Sequence, residues 1–190
     1  MTFRALSIIS ALALFVGGCT GGGADTDTAI PRRTAYPRPA LLDTAMTMVA
    51  DLPVSFAVNA GATISQPQTN WLDVFYPTYG ATMHVSFTAV DSTTIDDVMA
   101  NRFERIALNN GNVLATTSHE DINAAGFDYL TVRLDGTATP LQFLATDLES
   151  IVVSGVVYMS DPQVATAIDS LRPIVDAIEA DINRAMLSLR

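Results

Sequence analysis

The run Ile151–Met159 restricts how this chain can fold more than any other feature of the sequence. Its residues, IVVSGVVYM, are nearly all apolar, so a strand built from them has two faces that must be kept from water. Such a strand lies in the interior of a sheet that is covered on both sides. The sequence therefore predicts a layered domain with Ile151–Met159 as a central strand.

A β-hairpin is predicted earlier in the chain. Trp71–Tyr76 and Ala81–Ala89 alternate between apolar and polar residues, and Pro77–Gly80 between them forms a Pro/Gly turn. Other strands are expected between turn residues such as Asp135 and Gly136. They are Pro53–Val58, Val113–Thr117, Tyr129–Leu134 and Leu141–Ala145.

A first helix is predicted by apolar residues at helical spacing between Ile95 and Ile106. Thr94, with Asp97 three residues later, resembles a capping box at the start of this helix. The sequence Asn109–Gly111 is typical of a helix C-terminus, because glycine readily adopts the left-handed conformation found there. The helix is therefore expected to end at these residues.

A second, longer helix is predicted from Gln163 to Leu189, with an apolar stripe along its length. Pro173 has no backbone N–H to donate, so a kink or a break is expected near Leu171. Strands joined by short turns are antiparallel neighbours, and two amphipathic helices can cover such a sheet. We therefore predict an α+β domain over residues 46–190, with a mostly antiparallel sheet of about six to seven strands flanked by two helices in a layered sandwich. The order of elements resembles the PsbP/Mog1-like fold.

Residues 1–19 have the features of a bacterial lipoprotein signal peptide. Arg4 precedes the apolar stretch Ala5–Val16, which is too short to span a bilayer, since a span needs about 20 residues. Val16–Cys19 resembles a lipobox, in which the cysteine receives a diacylglyceryl group and a further acyl chain such as palmitate. Cys19 is the single cysteine of the chain, so it has no disulfide partner within it. We predict lipidation of Cys19; the competing interpretation is an ordinary secretory signal peptide.

The residues that follow indicate a tether and a location. Residues 20–45 are rich in glycine and proline, and we expect them to form a flexible tether between the lipid and the domain. Thr20 follows the cysteine where an aspartate would indicate retention in the inner membrane. We therefore expect an outer-membrane lipoprotein that faces the periplasm, with the inner membrane as the alternative.

The charge of the chain excludes one class of partner. Asp and Glu number 20, against 10 basic residues, all of them arginine, which gives a formal net charge of −10. Phosphate backbones are bound by clustered lysines and arginines, and no such cluster is present in the sequence. We therefore expect no nucleic-acid partner.

The sequence contains few residues that could carry catalysis. It has two histidines, and it lacks an HExxH pattern, a GxSxG pattern, a glycine-rich phosphate loop and a paired metal-ligand cluster. We therefore predict no catalytic residue, no metal and no cofactor. His84, on the polar face of its strand with Ser86, is either a packed and hydrogen-bonded residue or a base. His119–Asp121 is interpreted as a solvated loop, with metal binding as the alternative.

Aromatic residues cluster in the predicted hairpin. Aromatic side chains beside a Pro/Gly turn most often pack in the core and at its rim. Tryptophan and tyrosine are also effective anchors in interfaces, so a partner-binding patch is the sharper interpretation. The residues predicted for such a patch are Trp71, Tyr76, Tyr79 and His84.

The segment from Pro53 to Arg190 resembles the gliding-motility lipoprotein GldD family of Bacteroidota. The resemblance lies in the hairpin Asn70–Phe87, in the Pro-hydrophobic-Gln-Phe strand within Ala138–Asp147, and in the terminal helix from Ser170 to Arg190. The lipobox agrees with it. None of these motifs is a catalytic signature, and the family supplies no catalytic residue to carry over.

The resemblance implies a non-enzymatic accessory of gliding motility and type IX protein secretion, which would support assembly or stability of the machinery. Its implied partners are the membrane, through the lipid anchor, and other envelope lipoproteins or secretion and motility components. The alternative is an envelope lipoprotein of PsbP/Mog1-like fold with small-molecule-binding or hydrolytic activity. That activity would be centred on His84 and the neighbourhood of Asp73 and Tyr79.

Overall fold

The computed structural model describes residues 45–109, 115–160 and 168–190. In chain order its elements are β1 (Met46–Met48), β2 (Ala57–Asn59), β3 (Thr63–Gln68), β4 (Trp71–Tyr76), β5 (Ala81–Ala89), α1 (Ile95–Asn109), β6 (Ala115–Ile122), β7 (Asp128–Asp135), β8 (Leu141–Thr146), β9 (Ile151–Met159) and α2 (Ile168–Ser188). A seven-stranded sheet has the order β3-β4-β5-β9-β8-β7-β6, and β1 pairs with β2 in a second, two-stranded sheet. Every pair of neighbouring strands is antiparallel.

The predicted α+β class is confirmed, and so is the position of the central strand. β9 has the bounds expected from its apolar run, and it lies fourth in the seven-stranded sheet, between β5 and β8. The predicted hairpin is also present, because β4 and β5 pair around the turn at Pro77–Gly80. Gly80 in that turn has a φ of 58°, a conformation that glycine adopts without strain. The resemblance to the PsbP/Mog1-like fold stays a prediction.

One side of the large sheet, which we call the α2 face, carries Met83, Val85 and Phe87 of β5 and packs against α2 and β2. Three phenylalanine rings lie at the centre of the core between this face and α2. The Phe56 ring meets the Phe87 ring edge to face at 5.7 Å and stacks on the Phe143 ring at 6.5 Å. Other buried members of this core include Leu72, Val74, Val153, Val157, Val175, Ile178, Ile182 and Met186.

Gly155 allows this packing at the centre of β9. A Cβ atom at this position would lie 2.2 Å from Cζ of Phe143, so the ring occupies the volume that any larger residue would fill. The glycine in the apolar run therefore has a packing role.

Polar contacts fix α2 to the α2 face. Asn123, buried in the turn between β6 and β7, donates from Nδ2 to the carbonyl oxygens of Met186 and Leu189 at 2.9 and 3.0 Å. Its Oδ1 accepts from the backbone N–H groups of Ala125 and Phe127. These bonds satisfy carbonyl groups that a helix C-terminus leaves without partners.

A charged cluster joins β7 to α2 nearer the start of the helix. Arg133 of β7 forms ion pairs with Asp135 of its own strand and with Asp176 and Glu179 of α2. These carboxylates satisfy the guanidinium donors, so the buried part of this arginine is well compensated.

The opposite side of the sheet, which we call the α1 face, carries Thr82, His84 and Ser86 of β5 and lies beneath α1. None of the residues of α1 is buried, and the Phe103 ring is 48% exposed. Arg102 connects the helix to the sheet through one hydrogen bond, from Nη2 to Thr88 Oγ1 at 3.1 Å. This face is therefore covered more loosely than the α2 face.

The start of α1 differs from the prediction. Asp91 is the capping residue: its Oδ1 accepts from the backbone N–H of Thr94 at 3.0 Å, and Thr94 Oγ1 accepts from the backbone N–H of Asp91 at 3.0 Å. This reciprocal pair is a capping box placed three residues before the predicted one. Thr94 is thus the third residue of the box instead of the first, and Asp97 does not take part in these two bonds. α1 ends at Asn109, as expected, while Gly111 lies outside the described residues.

Two strands were missed or misplaced because they lie at the sheet edges. β3 has exposed, polar residues and Pro67, which is tolerated at an edge; a register shift between Ser65 and Gln68 accommodates it. The predicted loop His119–Asp121 is wrong, since these residues pair with β7 as part of β6. An edge strand that no helix covers does not need to bury an apolar face. Its sequence therefore need not alternate between apolar and polar residues, and that pattern cannot be used to predict it.

Two further boundaries need correction. The first predicted strand, Pro53–Val58, is present only as β2, and β1 precedes it. α2 continues through Pro173 to Ser188, so a break near Leu171 does not occur. Pro173 is the sixth residue of the described helix, so its missing N–H leaves the carbonyl group of Asp169 without its usual helical partner but does not end the helix. The predicted part of this helix from 163 to 167 lies outside the described residues.

Candidate functional site

His84 lies near the centre of the α1 face. In the pairing of strands it stands opposite Asp73 of β4 on one side and Val156 of β9 on the other. Because side chains of paired residues point to the same face, this register brings Asp73 beside the imidazole ring. The pairing follows directly from the short turn between β4 and β5.

One carboxylate oxygen of Asp73 contacts the side chains of both Trp71 and His84. Its Oδ1 accepts from Nε1 of Trp71 at 2.6 Å and lies 2.6 Å from Nδ1 of His84. The His84 ring also meets the ring of Trp71 at 6.4 Å and that of Tyr158 at 5.5 Å, both in edge-to-face geometry. We call these four residues, Trp71, Asp73, His84 and Tyr158, the His84 cluster.

The cluster has the geometry of an oriented imidazole. A carboxylate on Nδ1 of His84 fixes the ring and leaves Nε2 as the nitrogen available for a ligand, a partner or a proton. No described residue forms a hydrogen bond with Nε2. Ser86, two residues along the strand, bonds instead to Ser154, with the two hydroxyl oxygens 2.9 Å apart. Among the described residues, His84 is therefore hydrogen-bonded to a carboxylate that orients the ring, and Ser86 is not hydrogen-bonded to it as a nucleophile would be.

A cleft of about 720 Å³ lies beside the cluster, between α1 and the centre of the sheet. A volume of this size is in the range of small-molecule sites, about 300–1,000 Å³. Trp71, His84 and Tyr158 form part of its wall. Its other lining side chains include Ser86, Arg102, Arg105, Ile106, Leu108, Asn109, Gln142, Ser154 and Val156.

The four residues predicted for a partner-binding patch are divided between the two faces. Trp71 is 45% exposed and contacts His84 on the α1 face. Tyr76 and Tyr79 are 0% and 6% exposed and stack on each other at 6.1 Å within the core of the α2 face. They present almost no surface to a partner, so this part of the predicted patch is corrected: the two tyrosines belong to the core. Tyr79 is also separated from the Asp73 and His84 pair with which it was grouped.

Sequence reasoning missed several residues of the cleft. Tyr158 was placed in the central strand without a face, and the cleft residues of α1 and β8 were not considered. Their convergence depends on how α1 lies on the sheet, which no local pattern encodes. The pairing of Asp73 with His84 could have been found, because counting back across the Pro/Gly turn places them opposite each other.

The other histidine lies elsewhere. His119 is exposed on the edge strand β6, where its ring meets that of Tyr129 at 6.2 Å. Within residues 45–109, 115–160 and 168–190, no three His, Cys, Asp or Glu side chains are grouped closely enough to hold a metal ion. Cys19 lies outside the described residues.

Neither helix of the described chain combines the length and the apolarity needed to cross a membrane.

Comparison with known proteins identifies the family. Residues 26–190 match the family described as gliding motility lipoprotein GldD. No curated protein matches the chain. The family match covers most of the sequence, including all the described elements of both faces. A protein of this lipoprotein family is associated with a membrane of the cell envelope. The chain therefore belongs to the GldD family of gliding motility lipoproteins.

Proposed function

We propose that this protein is a non-enzymatic accessory of the gliding motility and type IX secretion machinery, which supports assembly or stability of its envelope components. The observation that carries the proposal is the family match over residues 26–190. The His84 cluster is compatible with it, because ordered and partly exposed aromatic side chains are suited to recognition of a partner.

Attachment to the outer membrane through Cys19 is part of the proposal. The lipobox-like Val16–Cys19 supports it, and residues 20–45 would give the domain reach from the membrane towards the periplasm. Mass spectrometry of the purified membrane fractions tests this part. We expect an N-terminal Cys19 that carries acyl chains, in the outer-membrane fraction. An unmodified soluble protein that begins at another residue would refute the anchor.

The partner-binding surface that we propose is the exposed part of the α1 face around Trp71 and His84. Phe75 and Tyr158 lie on the same face and are 40% and 46% exposed, so the surface is rich in accessible aromatic side chains. Aromatic anchors of this kind carry much of the binding energy in interfaces. The partners would be other envelope lipoproteins or secretion and motility components.

Gene deletion with complementation tests the accessory role. The strain without the protein should lose colony spreading or secretion, and the native gene should restore it. Trp71→Ala should restore it poorly and should recover fewer partners in a pull-down from solubilised membranes. Leu187→Ala removes a side chain of α2 that is 62% exposed and serves as the matched control. Normal spreading and secretion in the deletion strain would contradict the accessory role.

The second candidate is small-molecule binding or hydrolysis centred on His84. The contact between Asp73 and His84 at the edge of a cleft of about 720 Å³ favours it. Asp73→Asn separates the two functions, because it keeps the shape of the surface while removing the negative charge that orients and supports the imidazole. Loss of complementation with normal partner recovery would favour activity at His84. Normal complementation would favour the accessory role.

A further inference from the structure

The cleft between α1 and the sheet contains two arginines without carboxylate partners. Neither Arg102 nor Arg105 forms an ion pair with any described residue, whereas Arg133 and Arg184 are paired with carboxylates. Arg105 donates from Nε to Asn101 Oδ1 at 3.1 Å. Arg102 and Arg105 are thus neighbouring cations in a protein whose acidic residues outnumber its basic ones by 20 to 10.

Arg102 is the more buried of the two. Nη2 donates to Thr88 Oγ1, but Nε is inaccessible to solvent and has no hydrogen-bond partner among the described residues. Burial and the adjacent charge of Arg105 lower the pKa of Arg102. A guanidinium group in this position gains from an anion, which would replace lost water and screen the repulsion between the two arginines.

Gln142 supplies an independent observation on the opposite wall of the cleft. Its side chain is on β8, is only 4% exposed and lines the same cleft. Oε1 accepts from Asn109 Nδ2 of α1 at 3.1 Å, while Nε2 is buried and has no partner among the described residues. The unmatched groups on both walls of the cleft are therefore N–H donors, which is the chemistry that binds an oxyanion.

We propose that this cleft binds an organic phosphate, with the phosphate group between Arg102, Arg105 and Gln142 and an apolar body against Trp71, Ile106 and Tyr158. Two arginine charges match a phosphate monoester, which carries about −1.5 to −2 at neutral pH. The volume of about 720 Å³ exceeds what a phosphate ion needs and leaves room for the apolar part. The same chemistry is offered by a free phosphate ester and by a lipid with a terminal phosphate.

This inference goes beyond the accessory role, which requires no small ligand. It also differs from the second candidate, because the recognition groups lie on α1 and β8 and not on His84. Trp71 takes part in both proposals, so the phosphate proposal is tested at Arg102, Arg105 and Gln142, which the accessory role does not use. Failure of ligand binding would leave the accessory role intact.

Isothermal titration calorimetry of the full chain in a non-ionic detergent tests the proposal. Hexyl phosphate is the free-ester probe, dihexanoyl phosphatidic acid is the lipid probe, and hexanoate is the carboxylate comparison. We expect saturable binding of one molecule of hexyl phosphate per chain, weaker binding of hexanoate, and a fall in affinity as sodium chloride is raised. Tighter binding of the phosphatidic acid would assign a lipid; tighter binding of hexyl phosphate would assign a free ester.

Variants locate the site. Arg102→Gln should weaken binding of hexyl phosphate by about 10-fold to 100-fold, because it removes charge-assisted hydrogen bonds. Arg105→Gln changes an exposed residue, so its weakening can be measured even if Arg102→Gln lowers stability. Gln142→Leu should weaken binding by about 10-fold. Arg172→Gln, at an exposed arginine of α2, makes the same charge change away from the cleft and should leave the affinity unchanged.

Three results would overturn the proposal. The first is no saturable binding of either phosphate probe by the native chain. The second is an affinity that does not distinguish the proposed groups, which would be seen as unchanged binding in both Arg102→Gln and Arg105→Gln or as hexanoate binding as tightly as hexyl phosphate. The third is loss of binding in His84→Gln while Arg102→Gln still binds, which would centre the site on the imidazole. Thermal unfolding of each variant confirms that the protein measured is folded.

Discussion

The two faces of the large sheet differ in how closely they are covered. On the α2 face, aromatic rings interlock around Gly155, and α2 is held at its end by Asn123 and further back by Arg133. On the α1 face, the helix buries none of its residues and is flanked by clefts of about 720 and 450 Å³. Both helices are amphipathic, so amphipathicity alone does not determine how firmly a helix packs.

The difference assigns separate tasks to the two faces. Close packing and satisfied polar groups on the α2 face stabilise the fold. Incomplete packing on the α1 face leaves aromatic side chains, two arginines and an oriented histidine accessible. Side chains on the α1 face can therefore be substituted without disturbing the packed core on the α2 face. Substitutions that act on one face should therefore have little effect on the other.

Removal of one phenylalanine from each face gives the largest expected contrast. Phe143→Ala should lower the free energy of unfolding by about 3–5 kcal/mol, because a buried ring is lost from the core. Phe103→Ala on α1 should cost less than about 1 kcal/mol, since that ring is already 48% exposed. Urea denaturation monitored by circular dichroism measures both. Equal losses would show that α1 packs as firmly as α2.

The second contrast compares two asparagines. Asn123→Ala should cost about 2–3 kcal/mol, because it removes four hydrogen bonds, two to carbonyl groups at the end of α2 and two from backbone N–H groups of its own turn. Asn101→Ala on α1 removes one exposed hydrogen bond, with Arg105, and should cost less than about 0.5 kcal/mol. The same denaturation experiment applies. A loss below about 1 kcal/mol for Asn123→Ala would mean that the end of α2 is held by other contacts.

The third prediction concerns Asp147, in the turn between β8 and β9, the strands shared by both faces. Partial burial raises the pKa of its carboxyl group, but hydrogen bonds from the Ser150 hydroxyl and from nearby backbone N–H groups lower the pKa to about 2. The value in the unfolded chain is higher, about 3.9. The stabilisation is therefore present above about pH 4 and is lost as the pH falls towards 2.

Because this carboxylate is only partly buried and solvent screens its charge, we expect the loss to be only about 1 kcal/mol. Free energies of unfolding measured between pH 5 and pH 2 should fall by about that much more in the native chain than in Asp147→Asn. Glu149→Gln, at the exposed carboxylate of the same turn, should follow the native chain. Parallel curves for native and Asp147→Asn proteins would contradict the assignment.

The smallest effect on stability is expected at the His84 cluster. Asp73→Asn should change the free energy of unfolding by less than about 1 kcal/mol, because its contacts are at the surface. Trp71 is the only tryptophan of the sequence, and it contacts both Asp73 and His84, so its fluorescence reports on this cluster. The emission maximum should shift in Asp73→Asn and stay constant in Asp96→Asn, which removes an exposed charge on α1. A large loss of stability would link the cluster to the core.

The central part of the fold could be predicted because its information is local. The apolar run of β9 and the alternation of β4 and β5 around a turn define the middle of the sheet, and the register places Asp73 beside His84. The edge strands β3 and β6 could not be recognised in the same way, since neither needs an apolar face. Alternation also could not show that Tyr76 and Tyr79 face the closely packed side.

The cleft was the least predictable part of the molecule. Arg102 and Gln142 are far apart in the chain, and each is unremarkable by itself. What makes them a candidate site is the absence of a partner for Arg102 Nε and Gln142 Nε2 among the described residues. The lack of a hydrogen-bond partner depends on how the helix and the sheet pack, so it cannot be read from the sequence. Sequence reasoning therefore located His84 with its neighbours Trp71 and Asp73, but not Arg102 and Gln142 in the cleft beside them.

The edge strands have a consequence for how other proteins can approach the sheet. A partner that adds a strand of its own requires a regular, unprotected row of backbone donors and acceptors. Along β3 that row is broken at Pro67, and along β6 it is lined by the charged side chains of Glu120 and Asp121. Extension of the sheet by a foreign chain is disfavoured at both borders. A partner protein would then recognise this domain through side chains on its surface and not through hydrogen bonds to the backbone of an edge strand.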